Sequence, residues 1–158
     1  ARKSYGDEEK MNLTEHFTLE ELTHTDHREF DNTPNDVELA NLTRLAEFLE
    51  LVRTVLDNKP IFINSAFRSK LVNDACGSRD SSQHRVGAAV DIRVVGMTPD
   101  EVVQTVIASD LGYDQIIREF DRWTHISIPN SIHNAPRKQA LIIDKQGTRL
   151  YGAAKTTV

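Results

Sequence analysis

The longest amphipathic pattern in the chain lies between residues 36 and 57, where apolar side chains recur every three or four positions. This spacing places them on one face of a helix and leaves charged and polar residues on the other. Asn58 and Pro60 follow directly and end the pattern. The sequence therefore predicts a long helix that buries one apolar stripe, formed by Leu45, Phe48, Leu49, Val52, Val55 and Leu56.

Three shorter helices are predicted at other points of the chain. Residues 18–21 have the pattern of a capping box, in which a Thr and a Glu three positions later bond each other's backbone at a helix start. Residues 98–101 repeat that pattern with proline at the first helical position, and this helix ends before Gly112. A short helix is also predicted over 70–75.

The second half of the chain is rich in strand patterns. Alternating or β-branched runs predict strands at 61–63, 89–95, 115–120, 123–128, 139–143 and 149–151. Helices dominate first and strands later, with one helix inserted between them. This order predicts an α+β fold in which a small, mostly antiparallel sheet has helices packed on one side.

Two of these strands carry polar residues on one face. Three apolar residues share one face of the 89–95 strand, so Asp91 lies on the other. His125 likewise lies opposite the apolar residues of its own strand, and His84 stands where a polar loop gives way to the 89–95 strand. Because the apolar faces meet the helices, these three residues are predicted together on the surface that the core does not use.

Composition bounds the class of protein. The chain has 158 residues, a net charge of −5 and a pI of about 5.7, which argues against a nucleic-acid surface. No apolar run approaches the roughly 18 residues of a membrane-spanning helix, and residues 1–12 are polar and lack an apolar signal core. We therefore expect a mobile segment over 1–12, one domain over 13–158, no membrane insertion and no signal peptide. A single cysteine, Cys76, excludes an intrachain disulfide and thiolate-rich zinc sites.

Two imidazoles and one carboxylate form the ligand set of a catalytic zinc site, where a fourth position is left for water. Zinc lowers the pKa of such a water to roughly 7 and so supplies hydroxide at neutral pH. The spacing of His84 and Asp91 alone is a weak pattern, because such residues also occur as ordinary surface or capping residues. Other segments of the chain are needed to decide between the two interpretations.

Five short segments follow one another along residues 13–151: Phe17-Thr18-Leu19-Glu20-Glu21-Leu22, Asp31-Asn32-Thr33-Pro34, Ser65-Ala66-Phe67-Arg68-Ser69, Ser82-x-His84-x-x-Gly87-x-Ala89-x-Asp91 and Trp123-x-His125-x-Ser127. Each segment is weak alone, but their order and spacing are specific in combination. Together they resemble the zinc D-Ala-D-Ala carboxypeptidases of peptidoglycan (the M15 peptidases), and most of all the single-domain phage and prophage members. The resemblance implies the fold of the DD-peptidases and hedgehog domains.

The same resemblance implies a role for several residues. His84, Asp91 and His125 would hold one zinc ion. Arg68 would lie beside the metal, where a permanently charged guanidinium stabilises the oxyanion of the tetrahedral intermediate. Gly87 would permit close backbone approach beneath the metal. The implied substrate contacts are Ser82, Gln83 and Trp123.

The general base stays open between two carboxylates. Many relatives carry an acid three residues before the last histidine, but here that position is Arg122, which cannot accept a proton. The candidates are Glu119 and Asp121, and the surrounding 115–120 segment favours Glu119.

The turn before the last histidine strand bears on this choice. A two-residue turn at 121–122 would place Glu119 beside Thr124, on the wrong face of the sheet. A three-residue turn centred on Arg122 would place Glu119 opposite His125. Assigning Glu119 as the base therefore predicts a turn with an odd number of residues.

The implied function is hydrolysis of peptidoglycan stem peptides, either by a carboxypeptidase that releases terminal D-Ala or by an endopeptidase of the endolysin type. A carboxypeptidase needs a cation for the terminal carboxylate, and Arg79, Arg85 and Arg93 are candidates. The alternative, favoured by the lack of an acid at position 122, is a catalytically silent relative that binds wall peptides or a partner protein. We expect a monomer made in the cytoplasm of a bacterial host that acts on the wall in the periplasm.

Overall fold

The computed structural model describes residues 11–152 and has the predicted α+β architecture. In chain order the elements are α1 (Leu19–Thr23), α2 (Asp36–Val55), β1 (Ile61–Ser65), α3 (Lys70–Ala75), a one-turn 3-10 helix (Gln83–Val86), β2 (Ala89–Val94), α4 (Pro99–Ile107), β3 (Gln115–Glu119), β4 (Trp123–Ser127), β5 (Gln139–Asp144) and β6 (Gly147–Leu150). Every predicted helix and strand is present, with shifts at the ends. No helix or strand was predicted over the residues of the 3-10 helix.

Local hydrogen bonds explain where the helices begin and end. Capping boxes open α1, α2 and α4, formed by Thr18 with Glu21, Asn35 with Glu38, and Thr98 with Glu101. The long helix α2 ends two residues earlier than predicted, because Asp57 and Asn58 take left-handed φ angles of 58° and 59°. The chain then reverses direction and enters β1.

The six strands form one sheet in the order β1-β2-β4-β3-β5-β6. Every neighbouring pair is antiparallel except β3 and β5, which run parallel. The sheet is thus mostly antiparallel, as predicted. Strand β4, which carries His125, lies in its interior between β2 and β3.

The two faces of the sheet have different roles. On one face, Val90, Ile92 and Ile126 are fully buried in a single apolar cluster with residues of α2 and α4. The other face, which we call the open face, carries Asp91 and His125 at the intervening positions. The predicted division of faces is confirmed, and it frees the open face for polar chemistry.

Residues 1–10 and 153–158 lie outside the described residues, so the predicted mobile segment falls mostly outside them. Met11 donates its amide hydrogen to Glu20, and Asn12 forms an isolated antiparallel bridge with Thr18. These contacts join the start of the described chain to α1. Among the helices between residues 11 and 152, none combines the length and the apolar character required to cross a lipid bilayer.

Candidate metal centre

His84, Asp91 and His125 converge at the open face. Asp91 on β2 lies directly opposite His125 on β4 in the antiparallel ladder, and the 3-10 helix brings His84 to them. One ligand atom from each of the three lies within 4.8 Å of the others, and all three side chains are buried. Within residues 11–152 these are the His, Cys, Asp or Glu residues that come together in this way.

His84 is held in one orientation by the main chain. Its Nδ1 lies 2.6 Å from the carbonyl oxygen of Ala66, and a carbonyl only accepts, so Nδ1 carries the proton. Burial holds the pKa of His84 below its ordinary value and outweighs the opposing effect of Asp91. The imidazole is therefore neutral at neutral pH, and its Nε2 lone pair is free to bind a metal.

Asp91 lies between the two imidazoles. Its Oδ2 is 3.4 Å from His84 Nε2, and its Oδ1 is 3.0 Å from His125 Nδ1. Burial would raise the pKa of Asp91, but the adjacent imidazoles outweigh this effect and hold it well below its usual range. The carboxylate is therefore charged.

This donor set fits zinc. Imidazole nitrogens and a carboxylate oxygen are ligands that zinc accepts, and three protein ligands are typical of catalytic zinc sites. Ca²⁺ and Mg²⁺ prefer oxygen donors throughout, and two buried imidazoles do not meet that preference. The bond from His84 to the Ala66 carbonyl is the kind of supporting contact that orients a metal-binding histidine.

Arg68 lies beside this group. Its guanidinium donates to Asp91 Oδ2 at 3.4 Å, to the Ser65 hydroxyl at 3.1 Å and to Asn73 Oδ1 at 3.5 Å. The side chain is 14% exposed, so one fixed positive charge lies next to the three metal-binding candidates. The sequence prediction placed Arg68 at this position.

The turn between β3 and β4 has three residues, an odd number as the assignment of Glu119 requires, but it is centred on Asp121 and not on Arg122. Phe120 and Asp121 both take left-handed φ angles of 52°, and Arg122 donates its amide hydrogen to the Glu119 carbonyl at 3.0 Å. Glu119 consequently lies opposite Trp123 and not opposite His125, the partner that a turn centred on Arg122 would give. The parity of the turn was predicted correctly and its centre was not.

Glu119 nevertheless shares the open face with His125, because residues 117 and 119 of β3 lie opposite 125 and 123 of β4. Burial and the nearby Asp91 carboxylate raise the pKa of Glu119 and outweigh the opposing effects of His125, Trp123 and Arg68. All four neighbours belong to the same site. Trp123 Nε1 is buried and makes no hydrogen bond of ordinary geometry with a described residue.

Asp121 is directed elsewhere. It accepts a hydrogen bond from Arg118, whose position in β3 alternates with that of Glu119 and lies on the opposite face. Its side chain is 64% exposed, and the bond from Arg118 lowers its pKa. Of the two base candidates, the structure brings Glu119 and not Asp121 toward the metal-binding candidates.

The side chains of Ser82 and Gln83 serve the fold around His84. The Ser82 hydroxyl accepts from the His84 amide and caps the 3-10 helix. Gln83 Nε2 lies within 3.1 Å of three acceptors, on Asp114, Ile128 and Asn130. Their role as substrate contacts stays a prediction.

The buried carboxylate of Asp114 was not singled out from the sequence. It is 5% exposed and accepts from the amide and the guanidinium of Arg137 as well as from Gln83. The network ties the loop after β4 to the residue next to His84. No motif marks it, because its members are 23 and 31 positions apart in the chain.

Gly87 also differs from its expected role. Its φ is +78°, and an added Cβ would lie 2.8 Å from the Glu38 carbonyl oxygen and 3.1 Å from Leu42 Cγ. The close approach is therefore to helix α2. It was expected beneath the metal.

A family model described as Peptidase M15 matches residues 15–127. The chain belongs to the M15 peptidase family. The residues that come together at the candidate metal centre all lie in the region that the family model covers: His84, Asp91, His125, Arg68 and Glu119. No curated protein matches the chain. The predicted membership of the M15 family is confirmed, and it supports a peptidase with a group of residues that could hold a metal.

Proposed function

We propose that this M15 peptidase is a zinc-dependent hydrolase of peptide bonds in peptidoglycan stem peptides. The observation that carries the proposal is the convergence of His84, Asp91 and His125 on the open face, with Arg68 and Glu119 beside them. A metal-binding group, a fixed cation and a carboxylate are the parts that metal-assisted hydrolysis of an amide requires.

The three buried side chains would hold the ion, His84 through Nε2, His125 through Nδ1 and Asp91 through a carboxylate oxygen. This assignment of atoms is supported by the bond from His84 Nδ1 to Ala66 and by the 3.0 Å approach of His125 Nδ1 to Asp91. When bound, zinc would supply a Lewis acid that polarises the substrate carbonyl and makes water more acidic.

Arg68 would bind the carbonyl oxygen of the scissile bond and stabilise the negative charge that develops on it. Its contacts with Ser65, Asn73 and Asp91 fix the guanidinium before substrate arrives, so little reorganisation is needed during reaction. Arginine suits this task because it stays charged at any working pH.

Glu119 would act as the general base. One of its carboxylate oxygens would accept a proton from the attacking water and then deliver it to the leaving amine nitrogen. Burial raises the pKa of Glu119, which makes its carboxylate a better proton acceptor and brings it closer to the working pH, where one group can both accept and return a proton. Its place opposite Trp123 supports this role over Asp121, whose carboxylate bonds Arg118.

Of the three cations considered for a terminal carboxylate, Arg85 lies 3.7 Å from Glu38 and donates to the Arg68 carbonyl. Arg93 donates to Asn64 and lies over the Phe62 ring. Both are already engaged, but Arg79 is exposed and forms no ion pair with any residue between 11 and 152. An endopeptidase of the endolysin type and a carboxypeptidase therefore both remain candidate reactions.

The direct test is incubation of the zinc-loaded protein with purified peptidoglycan sacculi. Soluble muropeptide fragments would indicate an endopeptidase, and free D-Ala released without loss of cross-links would indicate a carboxypeptidase. If neither product appears with zinc present, hydrolysis is ruled out and the alternative of a wall-binding protein without activity is favoured. Co-sedimentation with sacculi would then identify such binding.

A further inference from the structure

A cleft of about 560 Å³ opens at one end of the sheet, where the β3–β4 turn meets the β5–β6 turn. Its lining residues are Phe120, Asp121, Arg122, Trp123, Asp144, Lys145 and Gln146. None of the three metal-binding candidates lines it. The role of this cleft is therefore a separate question from that of the metal group.

The apolar part of the cleft is two aromatic rings. Phe120 and Trp123 lie with ring centroids 6.3 Å apart and tilted by 37°. Phe120 is 44% exposed although it occupies a left-handed position, which costs a bulky residue of order 1 kcal/mol or more. Its amide donates to the Ile143 carbonyl at 2.9 Å, so the backbone that carries this exposed ring is tied to the neighbouring strand β5. A strained backbone that keeps an aromatic ring at a cleft wall is typical of a binding site.

The charged part of the cleft is unbalanced. Its two carboxylates already have cationic partners, since Asp121 bonds Arg118 and Asp144 forms two 2.8 Å bonds with Arg149. Arg122 and Lys145, by contrast, form no ion pair with any residue between 11 and 152. A chain with a net charge of −5 thus presents two unpaired cations beside an aromatic wall.

The cleft borders the candidate active site at one residue. Trp123 lines the cleft and is also the residue that lies opposite Glu119 in the β3–β4 ladder. A peptide whose scissile bond lies between Glu119 and the metal group would have its next residues within reach of this cleft. An occupant with a carboxylate would pair with the cations and place its apolar part on the rings.

We propose that this cleft is a substrate subsite that binds a free carboxylate of the peptide next to the scissile bond, through Lys145 and Arg122. The inference rests on the proposed function for the identity of the peptide, because stem peptides carry free carboxylates. Binding of the carboxylate itself does not require hydrolysis.

Trp123 is the single tryptophan of the chain, so its fluorescence reports directly on the cleft. The zinc-loaded Glu119→Gln chain, which spares the probe from hydrolysis, is titrated with two blocked tripeptides that differ in one group. One is acetyl-Ala-D-Glu-D-Ala amide, and the other has D-Gln in place of D-Glu. We expect the acid probe to bind about fivefold more tightly than the amide probe, the effect of one partly exposed charge pair.

The variants separate this charge effect from general peptide binding. In Lys145→Gln the ratio of the two affinities falls to about one, and in Arg122→Gln it falls part of the way. The matched control is Lys138→Gln, which removes an exposed lysine at the opposite end of β5 and keeps the ratio unchanged. Increased salt weakens only the acid probe.

Three results overturn the proposal: equal affinity for the two probes, a preference that survives both cleft substitutions, or a preference that Lys138→Gln abolishes. Hydrolysis of sacculi by the wild-type chain is measured separately. If sacculi are cleaved and the probes bind equally, the subsite is wrong and the proposed function stands. If the acid probe is preferred and no sacculus is cleaved, the subsite stands and the hydrolase proposal fails.

Discussion

Asp91 and His125 face each other directly across the β2–β4 ladder, with 3.0 Å between Asp91 Oδ1 and His125 Nδ1. Their neighbours on the same two strands, Val90 and Ile126, also form a direct pair and lie fully buried on the other face. The metal-binding candidates and the apolar core therefore share a backbone but occupy opposite faces. The core does not depend on a metal for its packing.

We therefore expect metal removal to abolish hydrolysis while the domain stays folded. Chelation followed by circular dichroism should show unchanged secondary structure, and added zinc should restore activity. The His84→Ala chain should lose most of its metal as measured by elemental analysis, because one of two imidazole ligands is gone. Unfolding on chelation, or full metal occupancy in His84→Ala, would contradict the assignment.

The carboxylate of Glu119 is the group whose loss should reduce catalysis most selectively. Glu119→Gln keeps the size of the side chain and removes the proton acceptor, so kcat should fall by at least about 100-fold. Metal content should not change, since Glu119 is outside the three ligand candidates. Steady-state kinetics on muropeptides together with elemental analysis checks both expectations.

Asp121→Asn is the matched control for that experiment. Asp121 is two positions away and bonds Arg118 on the other face, so its loss should change kcat by no more than about threefold, the size of a surface ion-pair effect. The reverse ranking of the two variants would show that Asp121 is the base.

Arg68 should affect the reaction through geometry as well as charge. Arg68→Lys keeps the positive charge but cannot reach Ser65, Asn73 and Asp91 at once as the guanidinium does. We expect kcat to fall by roughly 10- to 100-fold, with a smaller change in KM, because the lost interaction is strongest in the transition state. A rise in KM at constant kcat would instead indicate ground-state binding.

Period-2 alternation was enough to predict that Asp91 and His125 share the open face. Alternation assigns each residue of a strand to one of its two faces without knowledge of the partner strands. Because the apolar residues of both strands mark the buried face, Asp91 and His125 must lie on the other face. The motif that contains Arg68 placed it at the site for a different reason, since no periodicity marks a residue after a strand end. These parts of the fold and the site were predictable.

The centre of the β3–β4 turn was not predictable in the same way. It depends on left-handed conformations at Phe120 and Asp121, and nothing in the sequence marks a phenylalanine for such a position. The Asp114 network escaped prediction because it joins residues distant in the chain, which local patterns do not relate. The contact of Gly87 with α2 depends in the same way on how a helix packs over the sheet.

Asp114 should give the stability of the protein a defined pH dependence. Burial raises its pKa, but the bonds from Arg137 and Gln83 outweigh this and hold the pKa below the usual value. A lowered pKa in the folded state stabilises the protein fully above the unfolded value of about 4, and this contribution is lost as the pH falls below it.

The free energy of unfolding of Asp114→Asn should therefore lie about 1–2 kcal/mol below that of the wild type at neutral pH. The difference should stay constant down to about pH 5 and shrink below about pH 4, as urea unfolding at several pH values can measure. The exposed Asp110→Asn serves as the control and should match the wild type throughout. A difference that grows with acidity would contradict the assignment.

Gly87 should be the glycine least tolerant of a side chain. Gly87→Ala adds a left-handed alanine and places its Cβ 2.8 Å from the Glu38 carbonyl oxygen, so helix α2 must shift. We expect a loss of about 2–4 kcal/mol in the free energy of unfolding. Gly96→Ala is the matched control, because its φ of +76° is similar and no atom lies within 4 Å of the added carbon. That variant should lose only about 1 kcal/mol, the cost of the backbone conformation alone. Equal losses in the two variants, measured by urea unfolding, would show that contact with α2 contributes nothing.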